Sequence, residues 1–178
     1  LMGPERRSML ISDKEKRITA FHEAGHAIVA TLLPGADPIH RVTIIPRGMA
    51  LGLTQTLPEE DRLNYTQQQI YAVIRYAMGG RAAEEIVFDH FSTGASNDLQ
   101  QATGWARRMV TEWGMSEKLG RLRYSENEEE VFLGHSVTQR KNISDATAKI
   151  IDEEIRRIID ESEEKAKNIL VTHMDALH

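Results

Sequence analysis

The sequence predicts a mainly α domain in which a small β-hairpin or sheet lies beside one helix, the one carrying His22-Glu23-Ala24-Gly25-His26. Three observations predict it. Apolar residues recur at helical spacing in several separate segments, as amphipathic helices with one buried face require. Two of those segments open with Ser or Thr followed three residues later by Glu or Gln, a pairing that satisfies orphan N–H groups at a helix start. One stretch, over 40–57, is instead rich in β-branched residues and interrupted by Pro and Gly.

Residues 1–11 are polar and marked by Gly and Pro, and read as a linker from an upstream module; the folded domain is expected over 12–178. Ser12 and Glu15 cap the first helix, Ile18, Phe21, Ile28 and Leu32 give it an apolar face, and Pro34-Gly35 closes it. Gly25 in its middle costs about 1 kcal/mol relative to Ala, so a close neighbour or a substrate backbone is expected there. Residues 40–46 and 50–57 read as two strands around Arg47-Gly48, with Pro46, which lacks an N–H, at a strand end or an edge. A lone hairpin is marginal, so these strands should lie against the helices. Their edge is either purely structural or a rail for an extended peptide.

After the acidic turn over 58–62, Thr66 and Gln69 form a second capping box, and Ile70, Val73, Ile74, Ala77 and Met78 form a buried face. Gly79-Gly80 should break or pinch this helix before the pattern resumes over 81–88, and two adjacent glycines point to tight helix packing. The small, polar loop Ser92-Thr93-Gly94-Ala95-Ser96-Asn97-Asp98 leads into Leu99, Ala102, Ala106, Met109, Val110 and Trp113 at helical spacing. Ser96 or Asn97 is the expected cap and Gly114 the stop, which puts Asp98 in the first turn, where the helix dipole favours a carboxylate. Residues 115–142 lose periodicity and include the acidic run 126–130, read as solvated surface loop. A last long helix spans 144–170 and presents Ile150, Ile151, Ile155, Ile158, Ile159, Ala166 and Ile169 on one face.

Composition narrows the function. At 178 residues the chain is long enough for one domain with a sizeable core. A net charge of -5 with no dense basic cluster argues against nucleic acid as a partner. With no Cys, disulfides and thiolate metal sites are excluded, so any metal must be held by His and carboxylate. No apolar run approaches the roughly 18 residues of a membrane span, so the fragment itself reads as soluble. No G-x-x-x-x-G-K-[ST] is present, so ATP is not bound by a P-loop of this chain.

His22 and His26, four residues apart, lie one above the other on a helix and present two imidazoles that can grip one ion. Glu23 points about 100° round the helix, badly placed to share the ion but well placed to take a proton from water on it. The pattern H-E-x-x-H is the zinc metallopeptidase signature, with Glu23 as general base. Catalytic zinc usually takes three protein ligands, so a third is needed. His40, His90, His135, His173 and His178 fall in presumed loops and ends and read as ordinary surface histidines. Glu84 and Glu85, on a downstream helix, and Asp98, at a helix start, remain open as candidates. For the oxyanion, besides zinc, a His or a Tyr such as Tyr124 is the candidate. The rival reading is a non-catalytic helical docking or oligomerisation domain with a structural metal; structural zinc, however, favours closed shells and Cys.

Five ordered blocks add a resemblance: the H-E-x-x-H segment, Val42-Thr43-Ile44-Ile45-Pro46-Arg47-Gly48, Gly79-Gly80-Arg81-Ala82-Ala83-Glu84-Glu85, Ser92-Thr93-Gly94-Ala95-Ser96-Asn97-Asp98-Leu99 and Trp113-Gly114-Met115-Ser116. Together they resemble the peptidase domain of the FtsH family of ATP-dependent, membrane-anchored zinc proteases, over nearly the whole chain. The opening Met2-Gly3-Pro4-Glu5-Arg6-Arg7-Ser8 resembles that family's junction between ATPase module and peptidase. The resemblance implies that His22, His26 and Asp98 bind one zinc per chain and that Glu23 is the catalytic base. It leaves Glu84 a supporting or structural role. It further implies a homohexamer acting on polypeptides, ATP used by the upstream module alone, and a membrane reached only through the N-terminal region. The parent is then expected in a bacterial inner membrane, with this domain on the cytoplasmic side.

Overall fold

The computed structural model describes residues 3–5, 10–48, 50–124 and 143–178. Much of the expected linker and the acidic run 126–130, with Gly134 and His135, lie outside them. The described elements are α1 (Asp13–Leu32), β1 (Ile39–Thr43), β2 (Leu53–Thr56), α2 (Gln67–Phe88), α3 (Ser96–Thr111), α4 (Asp145–Thr172) and α5 (Met174–Leu177), with a 3₁₀ turn at Thr93–Ala95 running into α3. The expected mainly α fold with one small antiparallel sheet is borne out.

Both N-terminal caps form. Ser12 Oγ accepts the Glu15 N–H at 3.2 Å, and at α2 the box is reciprocal: Thr66 Oγ1 accepts from Gln69 and Gln69 Oε1 accepts from Thr66. The expected break at Gly79-Gly80 does not occur, because α2 runs unbroken to Phe88. Glycine, unlike proline, keeps its N–H, so the helical ladder continues and only conformational entropy is lost. The compensation is contact. A Cβ placed on Gly25 would sit 2.4 Å from the Gly79 carbonyl oxygen and 2.6 Å from Ala83 Cβ, and one on Gly79 would sit 2.8 Å from the Gly25 oxygen. The backbones of α1 and α2 therefore touch where neither carries a side chain, which is the close neighbour expected of Gly25.

The hairpin is shorter than expected. Val42 pairs with Thr54 and Thr43 with Leu53, an irregularity separates Ile39 from Arg41, and residues 44–46 leave the ladder with Pro46 buried just beyond it. Both strands pack on α1. Glu5, inside the expected linker, accepts from Arg41 at 3.0 Å and also from Arg47, tying the opening of the chain to the hairpin.

The start of α3 differs from expectation. Ser96 is already helical (φ -57°, ψ -47°), so it is not a cap; Ser92 is, accepting the Gly94 N–H at 3.2 Å at the head of the 3₁₀ turn. The small residues over 92–95 fold into one tight turn instead of a loose loop. After α3, Gly114 takes φ +60° as the stop. Trp113, counted among the apolar periodic residues, lies past the helix end and is 40 % exposed.

The chain divides into two units. The first, Leu1–Ala102 with Asp160–His178, buries Val29, Ile70, Ile74, Met78, Ala82, Ala83, Ala166 and Leu170, and is laced by Lys167 to Glu85 at 2.8 Å and Arg81 to Glu163 at 3.4 Å. The second, Thr103–Ile159, buries Ala106, Met109, Val110, Ile151, Ile155 and Ile158. In it, buried Glu154 accepts from Ser116 Oγ at 2.6 Å and from Arg157 at 2.7 Å, and the Tyr124 hydroxyl donates to the Leu119 carbonyl at 2.8 Å. Among the described residues no helix is long and apolar enough to cross a membrane.

Two glycine substitutions should move stability in opposite directions. Ala is the better helix former by about 1 kcal/mol, but at Gly25 it meets backbone, and overpacking costs about 1–3 kcal/mol. Gly25→Ala should therefore lower stability in urea titration. At Gly104 no heavy atom among the described residues, beyond its chain neighbours and the adjoining backbone of its own helix, lies within 4 Å of an added Cβ, so Gly104→Ala should raise stability by about 0.5–1 kcal/mol. A stabilising Gly25→Ala would refute the backbone contact.

Candidate metal centre

All the groups of the site lie in the first unit. α1 contributes His22, Glu23 and His26, all buried; α2 contributes Tyr76, Gly80 and Glu84; β2 contributes Thr54; and the turn before α3 contributes Ser92, with Asp98 just inside that helix. Three atoms converge. His22 Nε2 and His26 Nε2 are 3.1 Å apart, and Asp98 Oδ2 lies 3.0 Å from the first and 3.1 Å from the second. Among the described residues this is the one group of three His, Cys, Asp or Glu side chains disposed to share an ion.

The other nitrogen of each ring decides what the triangle can hold. His26 Nδ1 lies 2.7 Å from the Tyr76 carbonyl oxygen, which can only accept, so the proton is on Nδ1 and Nε2 offers a lone pair. His22 Nδ1 lies 2.9 Å from Glu84 Oε2, a fully buried carboxylate that also accepts from Ser92 Oγ. Neutral imidazoles held this way aim two lone pairs at a carboxylate oxygen. Three acceptors at such distances repel unless positive charge sits among them. A tetrahedral zinc with ligands at about 2.0–2.1 Å keeps them roughly 3.3 Å apart, so the triangle needs to open by only a few tenths of an ångström. The residues fit the ion.

Electrostatics of the metal-free protein point the same way. Burial works to lower the His22 imidazole, but its hydrogen bonds with Asp98 and Glu84 and the charges of Asp98 and Glu23 outweigh burial and carry it up to about 9. Burial works to raise Asp98, but hydrogen bonds from His22 and His26 bring it down to about 2. Glu84 is likewise held below the usual carboxylate range, against burial, by His22 and Ser92. Tyr76 is pushed up by burial and by the charges of Glu23 and Asp98, so its phenol stays neutral. Without metal, a proton on His22 supplies the positive charge that the surroundings demand.

Glu23 has its own support. Thr54 Oγ1 donates to its side-chain Oε2 and lies 3.0 Å from its main-chain oxygen, while the Tyr76 hydroxyl donates to the Thr54 carbonyl at 2.8 Å. Gly52 leaves the space, since a Cβ there would sit 2.9 Å from Glu23 Cγ. Gly80 does the same for His22: a Cβ would lie 2.5 Å from Nε2 and 2.6 Å from two ring carbons.

Of the residues singled out from sequence, His22, His26 and Asp98 come together, and Glu84 reaches the far nitrogen of His22 without joining the three. Glu85 is engaged by Lys167. The histidines set aside lie elsewhere: His40 is exposed, His90 stacks on Phe88 at 5.7 Å, His173 Nδ1 donates to the Ile169 carbonyl, and His178 meets the Phe21 ring edge-on at 5.3 Å. Thr54, Tyr76 and Ser92 were not foreseen as partners. Gly25 and the Gly79-Gly80 pair were the signals of a close helix approach, without saying which side chains it would orient.

Comparison with known proteins agrees. The model of peptidase family M41 matches residues 9–178. Over its full length the chain is 54% identical to an ATP-dependent zinc metalloprotease FtsH of Magnetococcus marinus, and over 98% of its length it is 53% identical to an ATP-dependent zinc metalloprotease FtsH 3 of Symbiobacterium thermophilum. The corresponding protein of Photobacterium profundum is 52% identical over the full chain. The chain spans 26% to 28% of the length of these relatives. The resemblance drawn from five sequence blocks is therefore borne out. With 170 of its 178 residues matched (9 to 178 inclusive), the chain belongs to peptidase family M41.

Proposed function

We propose that this chain is the proteolytic domain of an ATP-dependent, membrane-anchored zinc protease, a zinc endopeptidase in which His22, His26 and Asp98 hold one ion and Glu23 is the general base. The observation that carries the proposal is the triangle of Nε2, Nε2 and Oδ2 atoms at 3.0–3.1 Å, built around the helix that also bears Glu23. Zinc, when bound, polarises the scissile carbonyl and lowers the pKa of water towards 7. Glu23 takes the proton from the attacking water and passes it to the leaving amine, with Thr54 fixing the carboxylate. Glu84 and the Tyr76 carbonyl keep each imidazole turned with Nε2 inward. The rival reading, a docking domain with a structural metal, is less well supported: structural zinc fills four protein positions, and three ligands are grouped among the described residues.

The relatives' names and the chain's quarter share of their length support the rest of the reading. Residues 1–11 are then the join to an upstream ATPase module that unfolds and feeds polypeptides, both membrane proteins and others no longer needed, into a homohexameric ring. The anchor lies in the N-terminal part of the parent, in a bacterial inner membrane with this domain on the cytoplasmic side. ATP serves that module and not this chain.

Two experiments test the proposal. Glu23→Gln should retain zinc but lose at least about 100-fold of hydrolysis of an unstructured polypeptide, whereas His22→Ala should lose both, as metal analysis and peptide assay would report. A glutamine variant that still cuts removes Glu23 as base. The isolated chain should also cleave unfolded casein-like chains in a chelator-sensitive way while leaving a tightly folded protein intact; efficient digestion of the folded protein without ATP would contradict the division of labour.

A further inference from the structure

We infer that Ser92 is a positioning residue for the metal site, the tie between the turn that presents Asp98 and the helix that holds His22; the inference rests on the metal reading proposed above. Ser92 lies six residues before Asp98 and is itself exposed. Its one hydroxyl is used in both directions. As donor, it reaches Glu84, whose carboxylate is fully buried and accepts His22 Nδ1 at 2.9 Å through its other oxygen. As acceptor, it takes the Gly94 N–H at 3.2 Å and so opens the 3₁₀ turn that runs into α3 and Asp98.

The consequence is geometric. His22 and Asp98 are 76 residues apart in sequence, and their ligand atoms must meet within about 3 Å. Glu84 fixes the rotation of the His22 ring, and Ser92 fixes Glu84; the same oxygen sets the turn from which Asp98 reaches back. A hydroxyl suits this place because it gives one proton and accepts another. Alanine does neither, and aspartate accepts from the turn as well as serine but offers Glu84 no proton and adds like charge. Partners one bond removed from a metal ligand, as Glu84 is, typically change metal affinity 10–100-fold when lost; Ser92 lies one bond further out and acts through Glu84 and the turn.

The test is zinc affinity of the full chain by competition with a chromophoric chelator, in wild type, Ser92→Ala, Ser92→Asp, Ser92→Thr and Glu84→Gln, with circular dichroism melts alongside. Ser92→Ala should weaken zinc about tenfold or more, Ser92→Asp at least as much despite its intact cap, and Ser92→Thr should stay within about threefold of wild type. Combining Ser92→Asp with Glu84→Gln should weaken zinc little further than Glu84→Gln alone, since aspartate keeps the turn and loses only the tie to Glu84. The cobalt-substituted Ser92→Asp protein should show shifted visible bands. Wild-type affinity in Ser92→Asp would leave Ser92 a helix-turn cap and overturn the inference, as would equal losses in Ala and Thr or fully additive losses in the double variant. The underlying reading fails in a different way: wild type and His22→Ala would then bind zinc equally poorly, and the inference would fall with it.

Discussion

The contact between α1 and α2 at Gly25 and Gly79 is the constraint on which the rest depends. Two helices ordinarily approach no closer than about 8–10 Å because side chains stand between them. Here a bare carbonyl meets a bare Cα, and that closeness puts the next residue of α2 against His22, whose ring rests on Gly80. One turn further along, Glu84 comes level with His22 Nδ1, and one turn back the Tyr76 carbonyl comes level with His26 Nδ1. The same glycines thus set both the packing of the unit and the orientation of two imidazoles. Their cost in helix propensity, about 1 kcal/mol each, is small beside what misplacing the rings would do to the site.

The second layer is electrostatic. The site gathers Asp98, Glu84 and Glu23 around two imidazoles in a mostly buried setting, an arrangement that repels itself unless a cation intervenes. His22 carried up to about 9 and Asp98 brought down to about 2 describe one demand from its two sides. A divalent ion meets it better than a proton, because it satisfies three lone pairs at once. Polar support continues outward through Thr54 to β2 and through Ser92 to the turn before α3, so neither Glu23 nor Glu84 relies on packing alone.

Much of this was legible in the sequence, for physical reasons. The i, i+4 histidines need only a helix to meet, and the Ser12 cap together with the apolar spacing guaranteed one. The Thr66 box was equally local. What could not be read was everything that depends on the third dimension. Asp98, Glu84 and Glu85 were chemically equivalent candidates until the fold brought one to the Nε2 atoms of both histidines, one to the far nitrogen of His22 and one to Lys167. Gly79-Gly80 looked like a break because local propensity was weighed without the partner helix that offsets it. Ser96 looked like a cap because the 3₁₀ turn headed by Ser92, four residues earlier, leaves no mark beyond a run of small residues. Carbonyl and hydroxyl partners such as Tyr76 and Thr54 leave no sequence signature, since their roles rest on where the backbone runs.

The most direct measurement is zinc K-edge X-ray absorption on the zinc-loaded chain and on its Asp98→Ala variant. Four light scatterers are expected at about 2.0–2.1 Å, two of them with the outer-shell signature of imidazole, and in the variant the same two imidazoles with one oxygen changed or lost. A wild-type spectrum with one imidazole or none, or a first shell untouched by loss of the Asp98 carboxylate, would contradict the convergence of His22, His26 and Asp98 on a single ion.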